Sequence, residues 1–367
     1  MRIVYGVHGY SRGHASRAAT VLSELVKQHE VMIFAGRDAE KILSEQYEVN
    51  HVPVLAYEYT DRGRISAFKT MRTTFPILTD LVRHGKYFKR VKAMMRDFDP
   101  DLVISDAEPF TNRVSLSLQM PLVSFDHFGI MVHCRPRLRW QDRLRSLLDR
   151  TAYRTLLGQS DKQLISSFYD APPRTHNVQV IGPLLRDEVF RLKPTDGQHV
   201  LVYFNNGNYQ ITPEVADTLR CLDVPLRVYG SEFVGRDGPI DFRPTSNMAF
   251  LEDLASARAV ISTAGNQLVG EAAYYGKAML VLPENTVEQR MNANAVEHLG
   301  IGQAIDWSEF KPHTVRNFLA RVPEFTARAR AASRDGRADA LRILNRWAKE
   351  LSGKRNATRR KLLQITA

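Results

Sequence analysis

The sequence has little cysteine and no long apolar run, and these absences exclude several classes of protein. Its two cysteines, Cys134 and Cys221, lie far apart and match neither a disulfide framework nor a zinc-binding spacing. We therefore expect a reducing, cytoplasmic compartment. No stretch approaches the roughly 18 consecutive apolar residues of a membrane span. Residues 1–14 also lack the apolar run and cleavage site of a signal peptide.

Two common ligand motifs are missing as well. Glycines 6, 9 and 13 follow the first predicted strand but miss the GxGxxG spacing, and no acidic residue ends the second predicted strand. A dinucleotide-binding site of the dehydrogenase type is therefore not predicted. The segment 99–101 has the form of a DxD metal motif. It precedes a predicted strand, however, so it should lie at the far end of the sheet from a ligand cleft.

Length, composition and charge indicate a globular protein with more than one domain. A chain of 367 residues is long for a single hydrophobic core. Residues 1–186 carry a net charge of +8, residues 187–330 carry −4 and residues 331–367 carry +7. An uneven distribution of charge bears on partners rather than on the fold. We therefore expect the first half and the tail to meet an anionic partner.

The most informative stretch is the segment 260–283, VISTAGNQLVGEAAYYGKAMLVLP. An apolar strand leads into a turn of small residues, a helix carrying Glu271 follows, and Gly276 ends that helix before a second apolar strand. This order is the repeating unit of a parallel α/β sheet. Small residues at a helix N-terminus leave backbone N–H groups and the positive end of the helix dipole able to bind phosphate. The pattern alone also suits an ordinary turn capped by Ser262 and Thr263.

Four neighbouring segments, with this stretch, carry a resemblance to a known family. The five segments are FLEDLA at 250–255, STAGNQLVGEA at 262–272, GKAMLVLP at 276–283, EQRMNA at 288–293 and LGIG at 299–302. Together they resemble the nucleotide-sugar half of GT-B glycosyltransferases, above all the MurG-type (family 28-like) and related archaeal and bacterial branch. The resemblance implies an α/β fold of two Rossmann-like, doubly wound domains facing across a cleft. It also implies C-terminal helices that cross back to the first domain.

The domain boundaries follow from the same resemblance. We expect an acceptor-binding domain over residues 1–183, a nucleotide-sugar-binding domain over residues 184–330 and basic C-terminal helices over residues 331–367.

Polar side chains follow three predicted strands of the first half. His14 follows the glycine-rich turn after the first strand, Asp106 and Glu108 end the fourth, and Asp126 and His127 end the fifth. The carboxyl ends of parallel strands meet where ligands approach an open α/β sheet. The resemblance makes His14 the catalytic base, oriented by Asp106, with Glu108 as the rival base. A helix N-terminus disfavours imidazolium, which suits a neutral base.

The resemblance also assigns the two binding sites. The donor-binding residues are Gly13, Asn205, Asn206, Gly207, Tyr229, Phe250, Thr263, Ala264, Gly265, Asn266, Gln267, Glu271, Glu288 and Gln289. The acceptor-binding residues are His8, Tyr10, Arg12, Asp126 and His127. The implied reaction is inverting transfer of a sugar from a nucleotide sugar, which we expect to be UDP-linked, to a hydroxyl group. Because N–H groups and the helix dipole take up the leaving-group charge, neither a metal nor a cofactor is expected.

Two basic segments mix arginine with exposed-type apolar residues. The segment from Arg62 to Arg96 has ten Lys or Arg and one acidic residue, and the segment from Arg135 to Arg154 carries leucines at helical spacing. With the basic tail, they suit solvated helices, a peripheral surface on the inner face of an anionic membrane, or a surface that tracks nucleic-acid phosphates. The second reading implies a lipid or lipid-linked acceptor, and the third implies modified bases in DNA.

Two other functions remain compatible with a nucleotide-sugar site. A GT-B-like epimerase would act on the nucleotide sugar without an acceptor, and a sugar-nucleotide sensor would not need His14.

Overall fold

Two α/β domains, each built on a seven-stranded sheet, make up the described part of the chain. The computed structural model describes residues 1–10, 12–58, 60 and 66–366, with the backbone alone for residue 12 and residues 354–366. The strands of the first sheet are β1 (Arg2–Val7), β2 (Glu30–Ala35), β3 (Val49–His51), β4 (Leu102–Asp106), β5 (Leu122–Asp126), β6 (Lys162–Ser166) and β7 (Val178–Ile181). They are parallel throughout, in the order β3-β2-β1-β4-β5-β6-β7.

The second sheet has the same doubly wound character. Its strands are β8 (Val200–Tyr203), β9 (Leu226–Tyr229), β10 (Gly235–Asp237), β11 (Ile240–Phe242), β12 (Ala259–Ser262), β13 (Ala278–Val281) and β14 (Gly302–Ala304). They lie in the order β10-β11-β9-β8-β12-β13-β14, with the β10–β11 hairpin as the antiparallel edge of an otherwise parallel sheet. The two sheets confirm the predicted pair of Rossmann-like domains.

Helices cover both sheets. Those of the first domain are α1 (Arg12–Leu25), α2 (Arg37–Leu43), α3 (Ala67–Arg83), α4 (Lys86–Phe98), α5 (Pro109–Ser117), α6 (Gly129–His133) and α7 (Arg143–Leu157). Those that follow are α8 (Asp187–Arg191), α9 (Gly207–Gln210), α10 (Pro213–Arg220), α11 (Asn247–Ala255), α12 (Asn266–Tyr274), α13 (Val287–Leu299), α14 (Pro312–Ala320), α15 (Val322–Ala331) and α16 (Arg337–Thr366). Among the described residues, no helix is both long and apolar enough to cross a membrane.

Helix α1 begins at Arg12, within the glycine-rich turn. Ala15, Ala18 and Leu22 are all buried in the core of the first domain, so the helical spacing of core residues begins at Ala15. This start places His14 on the first turn of the helix.

Pro76 lies inside helix α3 without breaking it. Helix α3 continues through it, whereas Gly85 does separate α3 from α4. Both Pro76 and Arg72, whose carbonyl loses its helical partner to the proline, are exposed. The missing hydrogen bond therefore falls on the solvent side, where its cost is lowest.

The last helix returns to the first domain, as predicted. Ile343, Leu344 and Trp347 of α16 are buried in the core that β1, β4 and α1 also build. Lys162 of β6 pairs with Glu350 at 3.2 Å. By contrast, α15 packs in the cores of the second domain. The chain thus ties both domains together a second time, beyond the crossing near residue 183.

Candidate active site

His14, Asp106 and Arg17 form a buried cluster at the carboxyl edge of the first sheet. Strand β4 ends at Asp106, which lies opposite Val7 of β1, and α1 brings His14 and Arg17 over the same edge. His14 Nδ1 lies 2.7 Å from Asp106 Oδ1. Arg17 donates from Nε to Asp106 Oδ2 at 2.9 Å and from Nη2 to Asp106 Oδ1 at 2.5 Å. The predicted histidine–aspartate pair is therefore in contact, and it has an additional member.

The electrostatics of this cluster favour an ionised Asp106. Burial alone would raise the pKa of the Asp106 carboxyl, but Arg17 and then His14 lower it, and the net pKa lies below its ordinary value. The half-buried His8 has its ring 5.3 Å from that of His14. Desolvation, followed by the charge of His14, lowers the pKa of His8 to about 3. His8 is therefore a neutral hydrogen-bonding group at the cleft edge.

Glu108 is a helix cap rather than a base facing the cleft. Its side chain accepts hydrogen bonds from the backbone of Phe110 (2.9 Å) and Thr111 (2.7 Å) and from the Thr111 hydroxyl (2.7 Å). It is buried at the start of α5, and this burial raises its pKa. Pro109 at the first helical position completes an ordinary N-terminus. We therefore correct the assignment of Glu108 as the rival base.

Asp126 and His127 are engaged inside the protein, which removes them from the candidate acceptor site. Asp126 Oδ1 accepts from the Gly129 N–H at 2.6 Å, and its Oδ2 accepts from the hydroxyls of Ser124 (2.8 Å) and Tyr153 (2.6 Å). His127 is 3% exposed and bridges the domains, as the next paragraphs show. An acceptor would have to displace these contacts.

The remaining predicted acceptor residues lie on the glycine-rich turn. Gly13 is the second residue of α1. The ring of Tyr10 lies 6.0 Å from that of Tyr57, which is 44% exposed. The side chain of Arg12 lies outside the described residues. His8 thus lies beside His14, and Tyr10 packs with the exposed Tyr57.

The N-terminus of α12, which the sequence assigned to the donor phosphates, lies against the end of β6 of the first domain. Gly265 is the N-cap, and no side chain caps the helix. The first backbone bond from the cap runs from the Val269 N–H to the Gly265 oxygen at 3.0 Å. The N–H groups of residues 266–268 therefore point out of the helix end. A Cβ placed on Gly265 would meet nothing within 4 Å, so the space in front of these donors is open. Thr263 and Ala264 are buried behind them.

A polar bridge fixes this helix end against the first domain. Asn266 Nδ2 donates to the Ser166 oxygen at 3.2 Å, and Asn266 Oδ1 accepts from the Phe168 N–H at 3.1 Å. The two ring nitrogens of His127 lie 2.9 Å from the Ser166 oxygen and from Asn292 Oδ1. Asn292 Nδ2 in turn donates to the Ala264 oxygen at 2.8 Å. Asn266 therefore positions the donor turn rather than projecting into it.

Glu271 has a partner that the sequence did not reveal. Arg186, in the crossing between the domains, donates from Nε to Glu271 Oε1 at 2.8 Å and from Nη2 to Oε2 at 2.7 Å. Gln267 Nε2 also donates to Oε1 at 2.9 Å. Each carboxylate oxygen has about two acceptor positions, so one position on Oε2 remains for a further donor.

The turn after β8 is organised by a carboxylate after β13. Gln210 Nε2 donates to Glu284 Oε1 at 2.6 Å, and Asn206 Nδ2 lies 3.5 Å from the same atom. The Asn206 N–H donates to Gln210 Oε1 at 3.0 Å. Although Asn206 was assigned to the donor site, this N–H group is therefore not directed at a phosphate. Gly207 packs against the carbonyl of Gly230, where a side chain would clash. Asn205 is exposed at this edge.

Of the other predicted donor residues, one belongs to the core. Tyr229 is 2% exposed and donates from its hydroxyl to Asp253 Oδ2 at 2.7 Å. It packs against the half-buried ring of Phe250, and it is removed from the donor site. Gln289 is buried, and its Oε1 accepts from the Glu284 N–H at 3.0 Å.

Glu288 stays half-buried between the domains, with Oε1 3.9 Å from His127 Nε2. Among the described ranges, no group of three His, Cys, Asp or Glu residues is placed to hold a metal ion.

Comparison with known proteins defines the class. The chain is similar to the crystal structure of the glycotransferase of kitacinnamycin, with a TM-score of 0.68 and 16% identity over 94% of this chain and 98% of that one. It is also similar to MurG of Acinetobacter baumannii, with a TM-score of 0.61 and 13% identity over 94% and 99% of the two chains. These likenesses show the GT-B fold.

Sequence comparison is more specific. An uncharacterized glycosyltransferase of Methanosarcina acetivorans is 24% identical over 389 residues, covering 99% of this chain and 98% of the relative. Residues 1–323 match the family described as glycosyl transferase family 1, and the protein belongs to that family. The predicted class of enzyme, a glycosyltransferase, is confirmed.

Proposed function

We propose that the protein transfers a sugar from a nucleotide sugar to a hydroxyl acceptor at an anionic membrane surface, with inversion at the anomeric carbon. His14 removes the acceptor proton. The observation that carries this proposal is the 2.7 Å contact between His14 Nδ1 and Asp106 Oδ1 on the first turn of α1. A carboxylate at Nδ1 requires the proton to be there, which leaves the Nε2 lone pair as the base.

The donor half of the cleft supports a nucleoside diphosphate leaving group. The N–H groups at the start of α12 and the positive end of its dipole suit the two phosphates. The vacant acceptor position on Glu271 Oε2 suits one ribose hydroxyl. We assign Glu288 to the sugar hydroxyls. It lies between the two domains, with its Oε1 3.9 Å from Nε2 of His127 in the first domain. We expect no metal to be required, because N–H groups stabilise the leaving charge.

The membrane part of the proposal rests on apolar side chains exposed among basic ones. On α3, Phe68 is 78% and Phe75 is 62% exposed, with Lys69 and Arg72 exposed between them. Just before α7, Trp140 is 81% exposed, and three leucines of α7 follow it: Leu144, Leu147 and Leu148. We call these two stretches together the apolar–basic face. Apolar side chains flanked by Lys and Arg suit the headgroup region of an anionic bilayer.

A single loop connects the apolar–basic face with the cleft. The Glu58 N–H donates to the Thr70 hydroxyl of α3 at 2.9 Å. The neighbouring Tyr57 lies within electrostatic range of Asp149 and Arg145 of α7, and its ring packs with Tyr10. Because both helices flank this loop, a membrane on the apolar–basic face would present a lipid-linked hydroxyl close to His14.

Some arginines of the basic segments contact the second domain instead of contributing only to a basic surface. Arg139 donates to Glu297 Oε2 at 2.7 Å, Arg145 donates to Asn285 Oδ1 at 3.0 Å, and Arg290 donates to Asp142 Oδ1 at 2.8 Å. These contacts join the α7 region to the α13 region of the second domain. Part of the segment from Arg135 to Arg154 therefore makes interdomain contacts. Arg62 and Arg64, like the side chains of the tail from residue 354, lie outside the described residues.

The donor is tested by thermal shift with UDP-, dTDP-, GDP- and CDP-sugars. A ligand at 100 times its Kd adds roughly 2.7 kcal/mol of stability. Incubation of the preferred donor alone then separates transfer from epimerisation, because an epimerase converts the sugar without an acceptor. Stabilisation by none of the nucleotide sugars would contradict the proposal.

Flotation with vesicles tests the acceptor surface. We expect binding to phosphatidylglycerol vesicles but not to neutral ones, with loss at high salt. Substituting Phe68→Ser and Trp140→Ser together should abolish flotation, whereas Phe233→Ser, at a 57% exposed position of the second domain, should not. Absence of flotation combined with salt-sensitive retention on duplex DNA would overturn the lipid acceptor in favour of DNA.

A further inference from the structure

Arg17 makes the cluster at His14 more than a two-residue arrangement. It lies three residues after His14 on α1, so the two side chains share one face of the helix. Only 4% of Arg17 is exposed, and its guanidinium donates hydrogen bonds to both oxygens of Asp106. Such a two-bond arrangement, here called the fork, stabilises a buried arginine, because an unpaired buried charge is strongly unfavourable.

The fork fixes the plane of the carboxylate. A single hydrogen bond would let the Asp106 carboxylate rotate, whereas two parallel N–H···O bonds hold it and direct Oδ1 at His14 Nδ1. Arg17 Nη2 also lies 3.0 Å from His14 Nδ1, because both nitrogens converge on Asp106 Oδ1. The ionised carboxylate oxygen accepts from both, so the ring proton lies on Nδ1 and Nε2 is left as the acceptor. Arg17 thus selects the tautomer through Asp106.

The positive charge of Arg17 also acts on the neighbouring Asp106. An aspartate on its own would favour protonation of the histidine ring that it contacts, but the arginine beside it offsets that negative charge. Other groups act on the members of this cluster. His8 from the end of β1 is uncharged, Tyr5 of β1 has a pKa raised by burial, Arg37 of α2 acts on His8, and Asp126 at the end of β5 acts on Arg17. Within the cluster itself, the charge of Arg17 opposes that of Asp106.

We propose that Arg17 is a positioning residue for the reaction: it orients Asp106, fixes the His14 tautomer and offsets the negative charge of Asp106 beside the ring. The inference rests on the proposed role of His14 as the base. It predicts two separable consequences of changing Arg17, one from geometry and one from charge.

Two variants separate these consequences. Arg17→Lys keeps the charge but loses the fork, and Arg17→Gln loses both. We expect kcat for nucleoside diphosphate release to fall about 10- to 100-fold in both variants, because the base is misoriented. The acid limb of kcat/KM against pH should move up by about one unit in Arg17→Gln only, because the aspartate charge is no longer offset. Arg342→Gln, at a surface position where the side chain is 63% exposed, is the matched control.

A spectroscopic readout does not depend on turnover. Histidine-labelled protein gives the ring tautomer of His14 by nitrogen NMR, with His14→Ala identifying the signal. We expect the Nδ1–H form in the unaltered protein and a mixture of tautomers in both Arg17 variants. Arg17→Gln with an unchanged acid limb and an unchanged tautomer would overturn the inference. If that variant does not fold, a single Nδ1–H tautomer with full kcat in Arg17→Lys would overturn it. Full activity of His14→Ala would instead contradict the proposed function, and the tautomer would still decide the role of Arg17.

Discussion

Replacing Glu271 by alanine should affect stability and donor binding separately. The carboxylate is 1% exposed, and the Arg186 guanidinium that pairs with it has 19% of its side chain exposed. Removing one partner of a buried ion pair leaves the other charge uncompensated, which costs about 3–5 kcal/mol. The lower end applies here because Arg186 keeps some contact with solvent. We therefore expect Glu271→Ala to lose about 3 kcal/mol of unfolding free energy.

The donor effect is of a different kind. Loss of a charged acceptor for a ribose hydroxyl should weaken nucleotide binding by about 1–3 kcal/mol, which is roughly 5- to 150-fold in Kd. Glu271→Ala with Arg186→Met removes both charges and should recover part of the lost stability, but it should not recover the affinity. A double-mutant cycle by urea unfolding gives the first quantity, and titration calorimetry with UDP and dTDP gives the second.

The control is Glu24→Ala, which removes the partner of Lys27 at an exposed position of α1 and should change both quantities by less than about 0.5 kcal/mol. Wild-type nucleotide affinity in the folded double variant would refute the reasoning, because Glu271 would then serve the fold alone.

Two further predictions concern pH and the domain bridge. The pKa of His8 falls from 6.5 to about 3 on folding, so the unfolded chain takes up a proton that the folded one refuses, and stability is lost as pH falls below 6.5. Between pH 7 and pH 5, His8→Gln should lose less stability than the wild type, by at most about 2 kcal/mol, and equal losses in urea melts would contradict this. His127→Leu leaves the Asn292 Oδ1 without this partner and the Ser166 carbonyl with Asn266 as its side-chain donor, and it should cost about 1–3 kcal/mol by the same assay. A cost under 1 kcal/mol would mean that the bridge adds little.

Residues whose environment is set by local chain order could be predicted from the sequence. Asp106 ends a buried apolar strand, and His14 follows a glycine-rich turn, so parallel-strand topology brings both to one edge. Gly265 is the N-cap of a helix that follows β12 after a short turn, and of the two turns that the sequence left open, the one without a side-chain cap is present. In each case the spacing along the chain determines the geometry.

The assignments of Glu108 and Asp126 differ from the structure because both side chains bind backbone N–H groups at the start of a helix. Glu108 precedes a proline at the first position of a helix, which is a local signal of an N-cap, and Asp126 stands three residues before Gly129, whose N–H it binds. We assigned them to catalysis and acceptor binding because polar residues at strand ends also mark ligand sites. The capping signals were present in the sequence and should have been weighed first.

Other residues could not have been found from the sequence. Arg17 and Arg186 meet their carboxylates across 89 and 85 residues of chain, respectively. No periodicity or local motif connects partners that far apart. In the same way, Arg139 appeared to belong to a solvated basic face until the position of α13 showed that it reaches Glu297.

The central claim is that His14 is the base of an inverting transfer, and the turnover of His14→Ala tests it most directly. Nucleoside diphosphate release from the preferred donor is measured in vesicles that supply the acceptor, and donor Kd is measured in parallel. The account predicts a fall of about 10²–10⁴-fold in kcat with little change in donor Kd. Near wild-type turnover in His14→Ala, alongside a crippled Glu108→Gln that still folds, would contradict it.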